Sequence, residues 1–133
     1  MNPPPLESVT VIFMHEQQVF AVQRQPYLLA FPGYHAFPGG KIDPDESSIV
    51  FETEFLCKYN ALRMRALQRE VGEELGYDLE DGIKKGEVLS LSELAEALAP
   101  PFAPVRFRTW FYRVDLSRRI NFKVDTGEFA DSF

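Results

Sequence analysis

Arg69-Glu70-Val71-Gly72-Glu73-Glu74-Leu75-Gly76-Tyr77 is the stretch that decides how this chain is read. At about 100° per residue, Glu70, Glu73 and Glu74 fall within roughly 100° of arc on one side of a helix. Met64, Leu67, Val71 and Leu75 form an apolar stripe about a third of a turn away, so the spacing predicts a helix from about Asn60 to Leu75. Gly76 supplies its C-terminal stop. Like charges at i,i+3 and i,i+4 cost about 0.2–0.5 kcal/mol each. Acids near a helix C-terminus oppose the macrodipole by about 0.3–1 kcal/mol, and Gly72 adds about 1 kcal/mol relative to Ala. Local rules broken together at one place point to a functional site. A divalent cation reverses the first two costs, because grouped carboxylates are what Mg²⁺ or Mn²⁺ takes. The bland alternative is a solvated acidic face, in which Arg69 simply pairs with Glu73.

Outward from this helix the chain reads as mixed α and β. Val9–Phe13 is β-branched and apolar, His15–Gln18 is a polar turn, and Val19–Val22 is a returning strand. Pro26 to Pro44 carries prolines and glycines and reads as a loop, with one extended piece near Tyr34–Phe37. Ser47–Tyr59 is ambiguous. A second short helix is expected near Ser92–Leu98, ended by Pro100-Pro101. Val105–Val114 reads as a strand with Val105, Phe107 and Phe111 on one face and Arg106, Arg108, Trp110 and Tyr112 on the other. The latter face suits either base stacking with phosphate contact or a solvated or helix-covered sheet.

The totals narrow the function classes. A chain of 133 residues fits one domain, expected over 1–133, with 45% hydrophobic and 26% charged residues as in soluble globular proteins. A formal charge of −6 argues against binding to DNA, which needs clustered Lys and Arg. One cysteine, Cys57, excludes an internal disulfide and a thiolate zinc site and suits a reducing, cytoplasmic location. No run approaches the ~18 apolar residues of a membrane span. His15 and His35 read as ordinary polar positions.

Upstream of the acidic helix, Gly40-Lys41-Ile42-Asp43-Pro44-Asp45-Glu46 places a glycine and a glutamate five residues apart. Together with Arg69–Tyr77 this resembles the Nudix hydrolase signature, G-x5-E-x7-R-E-U-x-E-E-x-G-U, with Val71 and Tyr77 at the bulky apolar U positions. Every fixed letter is present. The spacing departs from the family, with 22 residues between Glu46 and Arg69 where the pattern has seven, an insertion assigned to 47–61. Such insertions, and the run Phe31–Asp43, look like those of the coenzyme A-cleaving peroxisomal Nudix enzymes.

The resemblance implies an α/β/α sandwich with a mixed β-sheet. It also implies Mg²⁺ or Mn²⁺ held by Glu70, Glu73 and Glu74 with the Gly39 carbonyl, Arg69 orienting the glutamates, and Glu46 supporting the loop. Gly39, Gly40, Arg106 and Trp110 are the expected substrate contacts. The implied reaction is water attack on the diphosphate of a nucleoside diphosphate derivative, with coenzyme A-like substrates the first expectation and Glu70 or Glu128 as base. A non-catalytic nucleotide-binding or sensor domain of the same fold is the rival. A homodimer stays open. The family's domain continues into another helix beyond a segment such as Glu128–Phe133, so the chain reads as a fragment of a longer protein.

Overall fold

The structure is a computed structural model that describes residues 5–24, 35–43, 54–98, 107–123 and 129–132. Two long strands, β1 (Leu6–His15) and β7 (Phe107–Leu116), run parallel over the register Leu6↔Phe107 to Met14↔Asp115. β6 (Val88–Leu98) pairs antiparallel with the far side of β7. The other edge of β1 carries β2 (Gln18–Val19) at one end and β5 (Gly39–Lys41) at the other, both antiparallel. The sheet is therefore mixed. Two short strands, β3 (Val22–Arg24) and β4 (His35–Ala36), form a second sheet with β8 (Phe129–Ser132).

Alternation along β1 and β7 sends Val9, Val11 and Phe13, with Tyr112, Val114 and Leu116, to one face. There they meet α2 (Ala61–Leu75), whose Met64, Leu67, Val71 and Leu75 are all fully buried. Each such side chain contributes about 1.5–3 kcal/mol, so the apolar stripe fixes α2 on the sheet against its acidic flank. Asn60 caps the helix start by accepting from the Leu62 and Arg63 N–H groups, at 3.0 and 3.2 Å. Gly76 ends it in the left-handed conformation at φ 60°. Leu56 of α1 (Glu54–Cys57) and Leu79 of α3 (Leu79–Lys84) complete this core. The three described helices all contribute to this core.

The helix expected near Ser92–Leu98 is a strand. Leu91-Ser92-Glu93-Leu94-Ala95-Glu96-Ala97-Leu98 is rich in helix formers, but cross-strand pairing overrides propensity. Glu93 accepts from the Tyr112 hydroxyl at 2.8 Å and pairs with Arg63 at 3.2 Å, and Glu96 pairs with Arg108 at 2.9 Å. The short helix is instead α3, capped by the Asp78 carboxylate accepting from the Asp81 N–H at 3.0 Å. The polar turn after β1 forms as expected, with Glu16 taking a positive φ of 57° where a glycine is usual. The expected returning strand is split: Gln18–Val19 returns along β1, while Val22 joins the second sheet.

Candidate active site

The site is built where the C-terminal half of α2 crosses β5. Val71 points into the core at 0% exposure, which turns Glu70 and Glu74 along the flank that faces β5. Glu74 is 4% exposed, an unusual depth for a carboxylate. Its neighbour one turn earlier, Glu70, has a side chain 14% exposed, whereas that of Glu73 is 61% exposed.

The register of β5 explains what meets these acids. Val11 N–H donates to the Pro38 carbonyl and Ile42 N–H to the Glu7 carbonyl, both at 2.9 Å. Alternate residues thus bond inward to β1, leaving polar groups of Gly39 and Lys41 on the other edge. Gly39 N–H donates to Glu74 Oε2 at 3.1 Å, and the Lys41 carbonyl accepts from Arg69 Nη2 at 2.9 Å. Arg69 Nη1 lies 2.7 Å from Glu70 Oε1 and 3.5 Å from Glu73 Oε2. One guanidinium therefore joins the helix acids to the backbone of the glycine strand, a use its rigid fork permits and a lysine would not.

Both glycines are required by space rather than by φ. A Cβ on Gly40 would collide with the whole Glu70 carboxyl group. One on Gly39 would drive into the Val9 carbonyl oxygen, with the Thr10 Cα at 2.9 Å. Their absence lets a carboxylate lie against bare strand backbone.

Burial is the main influence on Glu70 and pushes its carboxyl above the usual range, against the pull of the Arg69 guanidinium. The adjoining Glu74 carboxyl is within hydrogen-bonding reach, and the Glu73 charge adds to the upward push. Arg69 is shared by the desolvated Glu70 and the exposed Glu73, while the buried Glu74 is met by the Gly39 N–H. That is an electrostatic arrangement with room for more positive charge.

The structure brings Arg69, Glu70, Glu74, Gly39 and Gly40 together, with Glu73 on the rim. Trp110 lies in the same row of the sheet, Gly40↔Val9↔Trp110, but two strands away. It is partly buried against the core, with the Arg63 guanidinium 3.4 Å from its ring centroid. The Arg–aromatic alternation on β7 is thus the helix-covered face, with Tyr112 fully buried. Glu46, Arg106 and Glu128, residues 47–53 of the 47–61 insertion and the loop over 26–34 lie outside the described residues. Two participants escape sequence reasoning: the Lys41 carbonyl, a backbone atom with no residue signal, and Arg63, whose approach to Trp110 follows only from the helix crossing.

The donor set suits a hard dication such as Mg²⁺ or Mn²⁺: two adjacent carboxylates, nearly dry, in a cradle that one methyl group would fill. Glu73 stands apart from them. Among the described residues no three acid, histidine or cysteine side chains are grouped closely enough to hold an ion as they stand. Nor is any described helix long and apolar enough to cross a membrane.

No protein-family model matches the chain, and no curated protein sequence does. Solved structures do. A Nudix hydrolase from Alicyclobacillus acidocaldarius aligns over 97% of this chain and 78% of its own, with TM-score 0.72 and 19% identity. The Nudix domain of Shewanella oneidensis NrtR, solved with ADP-ribose, aligns over 99% and 73%, with TM-score 0.66 and 16% identity. The E. coli dihydroneopterin triphosphate pyrophosphohydrolase aligns over 96% and 77%, with TM-score 0.60 and 16% identity. The chain has the fold of the Nudix hydrolases.

Proposed function

We propose that this chain, a Nudix fold with a carboxylate pair set against a glycine corner, hydrolyses the diphosphate linkage of a nucleoside diphosphate derivative with the help of a divalent cation. The observation that carries the reading is the contact of Glu70 and Glu74 with Gly39-Gly40, tied by Arg69 to the Lys41 carbonyl. Coenzyme A-like diphosphates are the substrate class we favour, on the resemblance of the box and its insertion to enzymes of that kind.

In this reading Glu70 and Glu74 hold Mg²⁺ or Mn²⁺, and Glu73 and the Gly39 carbonyl add ligands. When bound, the dication supplies charge neutralisation on the phosphoryl oxygens and on the leaving phosphate, the main demand of in-line displacement. The chain's own part is positioning. Arg69 fixes the spacing of α2 and β5, so the acids and the glycine backbone face the same small volume. The core beneath Val71 keeps that volume from collapsing or widening. Glu70 or Glu128 takes up the proton of the attacking water as general base.

A non-catalytic ligand-binding module is the second reading. It is favoured by the exposed, outward Glu73 and by the ADP-ribose complex of the similarly folded NrtR domain. Incubation with a panel of nucleoside diphosphate derivatives, coenzyme A included, with Mg²⁺, with Mn²⁺ and with chelator, separates the two. Metal-dependent cleavage that is lost in Glu73→Gln supports the hydrolase. Binding without cleavage, indifferent to Glu73→Gln, supports the module and sinks the hydrolase.

A further inference from the structure

A cavity of about 410 Å³ opens at the far end of β1 from the glycine corner. Gly40 pairs with Val9, whereas the cavity begins at Phe13 and reaches His15, about 13–20 Å further along the strand. Its volume lies in the range of roughly 300–1,000 Å³ typical of small-molecule sites.

The lining combines three kinds of group. Phe13, Phe20 and Phe122 form an aromatic wall, with ring centroids 4.9 Å apart for Phe13–Phe122 and 4.7 Å for Phe20–Phe122. His15, Gln18 and Asn121 supply hydrogen-bonding edges. The Leu116 carbonyl can only accept, so His15 Nδ1–H donates to it at 3.2 Å, leaving Nε2 as a further hydrogen-bonding atom. Each amide adds a donor and an acceptor. Arg119 is the third kind. Its neighbour Arg118 is held by Glu87, but Arg119 makes no ion pair among the described residues, in a protein carrying a net charge of −6. Glu16 lies 3.9 Å from His15 Nε2 and is turned to solvent.

We propose that this cavity is a second small-molecule site, separate from the glutamate corner, which takes a flat heteroaromatic ring bearing an anionic group. The ring lies against Phe20 and Phe122, where an apolar face is covered at little entropic cost. Its polar edge meets His15, Gln18 and Asn121. The anion meets Arg119, the cation of the lining, which sets the ligand's charge. An uncharged ring loses the Arg119 contact, and a bare anion loses the aromatic wall.

The test uses adenosine monophosphate, adenosine and inorganic phosphate, titrated into the protein in chelator while backbone amide chemical shifts are followed. Without a dication the glutamate corner repels phosphate, so the outcome is independent of whether the chain is a hydrolase. Adenosine monophosphate is expected to shift Val19, Phe20 and Arg119–Phe122 saturably, adenosine more weakly, and phosphate least. Arg119→Glu is expected to weaken the nucleotide at least about tenfold and leave adenosine unchanged, with Arg119→Gln intermediate. The proposal is overturned if millimolar nucleotide leaves these amides unmoved, if the shifts centre on 39–41 and 70–74, or if both Arg119 variants bind as the parent does.

Discussion

Alanine at three glycines gives three different results from one chemical change, and the structure orders them. Gly40 has a φ outside the left-handed region, so Gly40→Ala strains no backbone; it displaces the Glu70 carboxylate. Lost is the 2.7 Å Arg69–Glu70 contact, of a kind worth about 1.5–3 kcal/mol. Arg69 is about one-third exposed and keeps the Lys41 carbonyl, so the lower part of that range applies. Reduced freedom of the unfolded chain returns about 0.4–1 kcal/mol. The net is about 1 kcal/mol of destabilisation, or a fall in Tm of roughly 3–5 °C at this size. Gly39→Ala instead meets the Val9 carbonyl, which cannot rotate away, and pries β5 from β1. Leaving buried ladder groups unpaired costs about 1–3 kcal/mol each, so about 3 kcal/mol or more is expected. Gly72, exposed in the interior of α2, has nothing within 4 Å of an added Cβ, and Gly72→Ala is expected to stabilise by about 1 kcal/mol. Urea melts of the three variants, beside hydrolysis rates in Mg²⁺, check the series. Under the proposed function, Gly40→Ala is expected to stay folded while losing roughly 100-fold in rate, since ångström-scale misplacement of a group at the reacting centre has that effect. Equal melts for Gly39→Ala and Gly40→Ala, or a fully active Gly40→Ala, would refute the account of the corner.

Arg69→Lys removes the fork that serves Lys41 and Glu70 at once, so kcat is expected to fall at least about tenfold with KM little changed; steady-state kinetics read this directly. Saturating Mg²⁺ at about 100 times its Kd is expected to stabilise the protein by about 2.7 kcal/mol in melts, and Glu74→Gln to abolish the gain. Asp78 caps α3, and the hydrogen bond from the Asp81 N–H, helped by Gln68, holds its carboxyl below the usual range. A depressed folded pKa gives stability that is present above the unfolded value of about 3.9 and lost as pH falls through the folded one. Acid titration of stability should therefore be shallower in Asp78→Asn than in the parent, while Asp78→Ala costs about 1 kcal/mol at neutral pH.

Legibility in the sequence followed the range of the interaction. The span of α2, its stripe and its glycine stop were readable because period and caps are local properties. β1 and β7 were readable because β-branched and aromatic runs have few other uses. β6 was not, because its helix-forming residues are recruited by partners on β7 and α2 that no local window contains. α3 was missed although Asp78 and Asp81 stand at cap spacing, a signal hidden by the shortness of the segment. At the site, the acids and glycines were visible as residue types. Their division into two inner carboxylates and one at the rim was not, since it depends on how α2 crosses β5.

That division also shows how the helix tolerates its acids. The last turn of α2 holds no basic residue, so the macrodipole is not offset from within. Compensation arrives from elsewhere in the chain. Lys123 N–H donates to the Leu75 carbonyl at 2.8 Å, Gly39 N–H takes one lone pair of Glu74, and Arg69 holds Glu70 and Glu73. None of these contacts would exist without the apolar stripe that fixes α2 on the sheet. The core therefore holds Glu70 and Glu74 in place against the glycine strand. A cation bound there would meet ligands that packing has already placed, so its affinity should fall when the stripe is loosened. Leu67→Ala, which leaves every acid in the sequence and should cost about 2–5 kcal/mol of stability, is expected to weaken Mg²⁺ binding under conditions where the variant remains folded. Unchanged Mg²⁺ affinity in that variant would mean that the corner is organised by its own polar contacts alone.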